Sequence, residues 1–253
     1  MMSQIFIYDS SSCNIFIYKN IFHMDIIPVI DIFNGKVVTA IQGKRDNYQP
    51  VDLKLYNTID PIEIINILIQ RFKPSIIYIA DLNGILYKDI NTSMYDFIVR
   101  NNPKIKFWVD FGKTDIYKLQ KYQNLDKVFC SETSKGVDLS SNKNNVKICS
   151  LDYQNNILGN VTLSKQKRYL PKKIILMDLS QVGSTKNMSF SLVRKYLKLK
   201  NKHDIYIAGG LKSTLDLNRA KFLGIKGVLA TSIFIKQRIP KLYITKEKTN
   251  LKK

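Results

Sequence analysis

Two short apolar runs, IIPVID (Ile26 to Asp31) and KICSLD (Lys147 to Asp152), each end on a carboxylate. Two carboxyls on one scaffold can divide acid and base work, because burial and mutual repulsion separate their proton affinities and leave one protonated while the other is ionised. Asp31 and Asp152 are therefore the candidate catalytic residues. Three more aspartates, Asp81, Asp110 and Asp178, close the runs IIYIAD, KFWVD and IILMD. Each is a candidate for touching or orienting a substrate, with loop anchoring through accepted backbone N–H bonds as the equal alternative.

Runs of this length, rich in β-branched residues, read as strands covered on both faces, and such strands belong to parallel sheets. Asn34-Gly35 predicts a hairpin turn into a returning strand, Lys36 to Gln42, before a polar loop from Gly43 to Asn57. Asp60-Pro61 supplies an N-cap and a first-turn proline for a helix. Strands follow at 76–81, 106–110 and 127–131, with helices over about 91–101 and 114–122; residues up to 145 are polar with room for a short helix. After Asp152 come a second turn and a hairpin strand, ILGNVTL. Strands at 174–178, 205–210 and 227–231, with helices over about 188–199 and 214–223, complete the chain. Eight strands alternating with helices predict a single (β/α)8 barrel, in which strand ends carry function. Aligning those ends pairs Asp81 with Asp178, Asp110 with Gly209 and Ser131 with Thr231 at offsets of 97, 99 and 100 residues, so the barrel reads as a duplicated half-barrel.

Within 253 residues, 45% hydrophobic content suffices for one such core. The 40 Lys and Arg against 20 Asp and Glu give a formal charge of +20, but the lysines are scattered along the chain. They are read as a basic surface and not as a nucleic-acid or membrane footprint. Cys13, Cys130 and Cys149 have no disulfide or zinc spacing, which suits a cytoplasmic protein. No apolar run reaches the ~20 residues of a membrane span. Residues 1–23 are expected to be a poorly ordered extension with Met24 as the natural start, 24–239 the barrel, and 240–253 a basic tail.

The glycines Gly209-Gly210, ahead of a helix starting near Ser213, let the backbone approach a phosphate and aim N–H groups at it. Thr231 and Ser232 follow the neighbouring last strand, and that corner of a barrel frequently holds phosphate. Lys44 and Arg45 in the first loop are placed to close over an anion.

Taken together, IIPVIDIFNGKVV, YIADLNGI and IAGG resemble the histidine-biosynthesis barrel family, the phosphoribosyl-formimino-aminoimidazole-carboxamide ribotide isomerase and its sister cyclase. GKRDNYQPV, DLSQVGS and GVLATSIF look like a divergent branch of that family from tetrahydromethanopterin-using organisms, and bring Gly183 and Ser184 into the substrate-binding set. The resemblance implies that Asp31 and Asp152, at the matching first- and fifth-strand positions, open an aminoaldose ring and move a proton to give an aminoketose. It implies a small phosphorylated metabolite as substrate and calls for no metal or other cofactor. The chain departs from the family in two places. Asp110 stands where a glycine-rich loop cradles a second phosphate, and a carboxylate repels phosphate. Met177 and Val182 stand where the isomerase has Thr and Asp. Both favour a substrate with one phosphate. Two alternatives stay open: a lyase or condensing enzyme of methanopterin-related biosynthesis, and a non-catalytic barrel binding a phosphometabolite or anionic polymer.

Overall fold

The computed structural model describes residues 24–137, 146–184 and 190–235. The expectations for the extension, the tail and part of the polar segment before 145 lie outside those residues. Among the described residues, eight parallel strands form a closed ring: β1 (Asp25–Phe33), β2 (Ile76–Asp81), β3 (Lys106–Asp110), β4 (Leu125–Cys130), β5 (Ile148–Gln154), β6 (Lys173–Asp178), β7 (Asp204–Ala208) and β8 (Gly227–Ala230). Pairing of β8 with β1, Asp25 opposite Gly227 through Pro28 opposite Ala230, shuts the barrel. Closure removes the free edges that an open sheet would expose.

Alternation along each strand sorts the side chains into two cores. Ile27, Tyr78, Trp108, Val128, Ile148, Ile175, Tyr206 and Leu229, one from each strand, fill the interior of the ring. Residues of opposite phase, such as Ile30, Ile77 and Ile79 in the first half and Ile174, Leu176 and Ile207 in the second, pack outward beneath the helices. Trp108 and Tyr206 meet edge to face in the interior, with ring centroids 4.8 Å apart. Such layers make the lower barrel a packed core and leave its upper rim as the place for a ligand.

Helix boundaries follow their capping chemistry. Asp60 accepts from the Glu63 N–H and Pro61 opens the helix Pro61–Phe72, which buries Ile64, Ile65 and Leu68. Asn91 caps Thr92–Asn101 by accepting from the Met94 N–H. Ser213 and Asp216 form a reciprocal capping box on Thr214–Phe222. Both halves begin with a hairpin: β1 pairs with Lys36–Thr39, and β5 with Asn156–Ile157.

The structure differs from expectation in three elements. The helix expected over 114–122 is a single 3-10 turn, Tyr117–Leu119, because Asp115 accepts from the Tyr117 N–H and holds a turn instead. The hairpin strand ILGNVTL stops at Ile157: Gly159, at φ +68°, sits against the carbonyls of Ser131 and Glu132, and the chain then coils into the helix Thr162–Lys165. Both β1 and β5 run two residues past their aspartates, since their hairpins extend the pairing.

Candidate active site

The phase of each strand decides where its terminal carboxylate goes. Asp31, Asp110 and Asp152 share the phase of Ile27, Trp108 and Ile148 and turn inward. Asp81 and Asp178 share the phase of Ile77 and Ile174 and turn toward the helices.

The cavity at the C-terminal rim is lined by the carboxylates Asp31, Asp110 and Glu132 and, from β7 and β8, by Gly209, Gly210, Lys212 and Thr231. Gly183, Ser184 and Arg45 also line it, whereas Lys44 is exposed outside it. Thr231 donates its hydroxyl to the Val29 carbonyl at 3.3 Å, and Ser232 begins the helix Ser232–Ile235. Asp152 is not among the lining residues, although it is buried in the interior close beneath.

The three inward carboxyls differ in their partners. Among the described residues none donates a hydrogen bond to the Asp31 side chain, which keeps part of its surface open to the cavity. Burial among the surrounding walls pushes Asp31 up to about 7, with the Arg45 guanidinium pulling it down and the Asp110 charge adding to the rise. Burial also pushes Asp110 up to about 7. The Gly112 N–H, 2.8 Å from one oxygen, and the Cys130 thiol oppose that rise, while the Asp152 and Glu132 charges reinforce it. The Asp152 carboxylate is spent on the protein: it accepts from Ser150 Oγ at 2.5 Å, Ser131 Oγ at 3.2 Å and the Glu132 N–H at 3.0 Å. Burial raises it as well, against those three bonds.

The outward pair accepts hydrogen bonds from its own strand ends and helices. Asp81 caps the helix Leu82–Tyr87 by accepting from the Gly84 N–H, and takes the Tyr95 hydroxyl at 2.8 Å. Asp178 accepts from Ser180 Oγ. Gly209, at φ +96°, lies so close to the Asp178 carbonyl that a Cβ would fall 2.3 Å from its oxygen. Glycine there is demanded by packing before any ligand is considered.

A roof crosses the mouth. The first loop runs from β1 over the barrel: the Gln42 N–H donates to the Val182 carbonyl at 2.8 Å, and Arg45 pairs with Glu132 at 2.8 Å. Gly183, at φ +63°, admits the loop, since a Cβ would meet the Ala40 oxygen at 2.1 Å. Tyr48 descends from the same loop, and burial followed by the Asp31 charge pushes its phenol up to about 12.

Sequence reasoning missed Glu132, Tyr48, Tyr78 and Lys212. Lys212 Nζ is the one buried side-chain nitrogen or oxygen among the described residues with no hydrogen-bond partner. An unpaired cation beside Gly209 and Gly210 gives that wall a positive sign, opposite to the carboxylate wall. Its signal lay in GGLK itself, a lysine two residues past the glycine pair.

Comparison with known proteins agrees with this architecture. The family model described as histidine biosynthesis protein matches residues 25–157 and 127–240. An uncharacterized protein of Methanocaldococcus jannaschii is 33% identical over 218 residues, covering 83% of this chain and 93% of its own length. The 1-(5-phosphoribosyl)-5-((5-phosphoribosylamino)methylideneamino)imidazole-4-carboxamide isomerases of Caldanaerobacter subterraneus and Dictyoglomus turgidum are each 24% identical. These matches cover 81% and 85% of this chain and 90% and 95% of the isomerases. No helix of the described residues is long and apolar enough to cross a membrane. With the family model matched through both halves of the barrel, the chain belongs to the histidine biosynthesis protein family.

Proposed function

We propose that the protein is an aldose–ketose isomerase that uses aspartate acid/base chemistry on a sugar-amine carrying one phosphate. The observation that carries this reading is Asp31: an inward carboxyl with no donor among the described residues, open to the cavity, whose proton affinity lies near neutrality. A group so tuned can give and take a proton at the same pH, which ring opening and C2 deprotonation both require. The isomerases among the relatives support the reaction type. The single phosphate rests on the two walls: the anion is received by Gly210, Lys212, Thr231 and Ser232, and Asp110 faces a neutral, cationic or hydroxyl-bearing part of the substrate.

The test compares two substrates, the bisphosphorylated imidazole-carboxamide ribotide and a phosphoribosylated aromatic amine with one phosphate. Turnover of the second in preference to the first is expected. Preference for the bisphosphate returns histidine biosynthesis to first place, and turnover of neither removes the isomerase reading.

Lys212 favours one second reading, a condensing or lyase activity, because a buried amine without a partner is suited to forming an imine with a carbonyl substrate. Borohydride added to the protein with a phosphorylated aldehyde or ketone would then leave a mass adduct on Lys212. The isomerase reading expects none.

A further inference from the structure

We infer that Asp110, and not Asp152, exchanges protons with the substrate opposite Asp31, and that Asp152 is a positioning residue for the roof of the site. The inference rests on the isomerase reading and assigns its second proton-transfer group. Asp31 is the register partner of Ala80, and Ala80 is the partner of Asp110, so the two aspartates stand level on the inner wall with only a methyl between them. Two strand spacings, about 9.5 Å, separate their backbones. Carboxyls reaching inward from such positions can straddle a five-membered sugar ring. Both line the cavity and Asp152 does not.

Asp152 is fixed differently. Its side chain accepts from Ser131 Oγ and the Glu132 N–H, and its own N–H donates to Ser131 Oγ at 2.8 Å. Those bonds pin the turn that presents Glu132, and Glu132 holds Arg45 of the roof. Removing Asp152 therefore loosens the roof without removing a group from the reacting atoms.

The charged and titratable neighbours fit these roles. Arg45 and Tyr48 face Asp31 from the roof, and Tyr78 lies beneath both carboxyls. Cys130, Glu132 and Asp152 face Asp110, with Lys127 and Tyr95 feeling its charge from the outer side. The Gly112 N–H and the Cys130 thiol stabilise Asp110 in its ionised form, which makes it the base; Asp31, with no donor among the described residues, is the acid. In the reaction Asp31 gives a proton to the ring oxygen as the C1–O bond breaks. The bonding pair leaves with oxygen, and the lone pair of the substrate nitrogen forms C1=N. Asp110 takes the proton on C2, and that C–H pair becomes C1=C2 while the C1=N pair returns to nitrogen. Loss of the C2 hydroxyl proton and protonation of C1 give the ketone, so no oxidant, reductant or co-reactant is needed.

Two measurements test the assignment. Asp31→Asn and Asp110→Asn should each lower kcat by roughly 100- to 10,000-fold and each remove one limb of the pH–rate profile. Asp152→Asn should keep both limbs and change KM by about 10-fold. Wild-type turnover by Asp110→Asn, or loss of a limb in Asp152→Asn alone, would overturn the inference. The second measurement needs no substrate: carbon-13 titration of aspartate-labelled protein should show the Asp31 and Asp110 carboxyls titrating near neutrality in wild type, and the Asp31 carboxyl at lower pH in Asp110→Asn. An Asp110 carboxyl titrating in the ordinary range near 4 would overturn the pairing. If the pair titrates as expected but wild-type protein turns over neither aminoaldose, the isomerase reading fails and the coupled pair stands.

Discussion

Five aspartates lie at or within two residues of strand ends on the same rim of this barrel, yet they fall into two classes. Asp31, Asp110 and Asp152 point into the ring, where burial raises each carboxyl. Asp81 and Asp178 point toward the helices; Asp81 receives the Gly84 N–H and the Tyr95 hydroxyl, and Asp178 receives Ser180 Oγ. A place at the end of a barrel strand therefore does not by itself bring a carboxylate into the ring. One residue of strand phase separates a carboxyl turned into the ring from one turned toward the helices. Within the inner class a second distinction holds: Asp152 is saturated by donors, and Asp31 has none from the described residues.

Neutralising one aspartate of each class should give opposite outcomes. Asp31→Asn is expected to lower turnover by roughly 100- to 10,000-fold with no loss of melting temperature, since it removes a proton and no structural bond. Steady-state kinetics beside thermal unfolding checks both halves of that statement. On the opposite wall, Lys212→Ala should weaken binding of inorganic phosphate by about 10- to 100-fold, the worth of a charge-assisted hydrogen bond, and Gly210→Asp should abolish it. Calorimetric titration of phosphate into each variant measures this, and phosphate bound equally well by all three proteins would dissolve the contrast between the walls.

Asp81→Ala is expected to do the reverse of Asp31→Asn. It leaves the buried Tyr95 hydroxyl and the Gly84 N–H unpaired and should cost about 1–3 kcal/mol in denaturant unfolding, with kcat per folded molecule unchanged. A further effect concerns pH. Asp31 and Asp110 hold protons up to about 7 in the folded chain and release them near the ordinary 3.8 when unfolded, so the folded state binds more protons in between. Stability from these groups is full below pH 4 and is lost as pH rises toward 7. Asp110→Asn, which cannot ionise, should therefore melt higher than wild type at pH 8, and the gap should close by pH 4. A gap of constant size would mean that Asp110 is not the source.

The eight strands were legible because each is a short β-branched run bounded by turn or cap residues, and the helices at Pro61, Thr92 and Thr214 because Asp60, Asn91 and Ser213 announce them. The phase of the strands was not legible. A strand buried on both faces reads as a continuous apolar run, so IIYIAD and KFWVD look equivalent, although Asp81 and Asp110 face opposite ways. The roof was equally hidden. Arg45 and Glu132 are 87 residues apart, and nothing local in GKRDNYQP or CSET announces that they meet. Lys212 was visible as a residue, but its lack of a partner is a property of packing alone.

On this reading a proton leaves C2 of a sugar-amine by acid/base chemistry in which Asp31 is the acid and Asp110 the base. Turnover of a singly phosphorylated phosphoribosyl aromatic amine in D2O, followed by NMR of the product, addresses it most directly. The expected product is a ketose carrying solvent deuterium at C1, formed by wild-type protein and at a rate roughly 100- to 10,000-fold lower by Asp31→Asn. Product formed by both proteins at the same rate, with no deuterium at C1, would mean hydride migration from C2 to C1 without an aspartate base, and would contradict it.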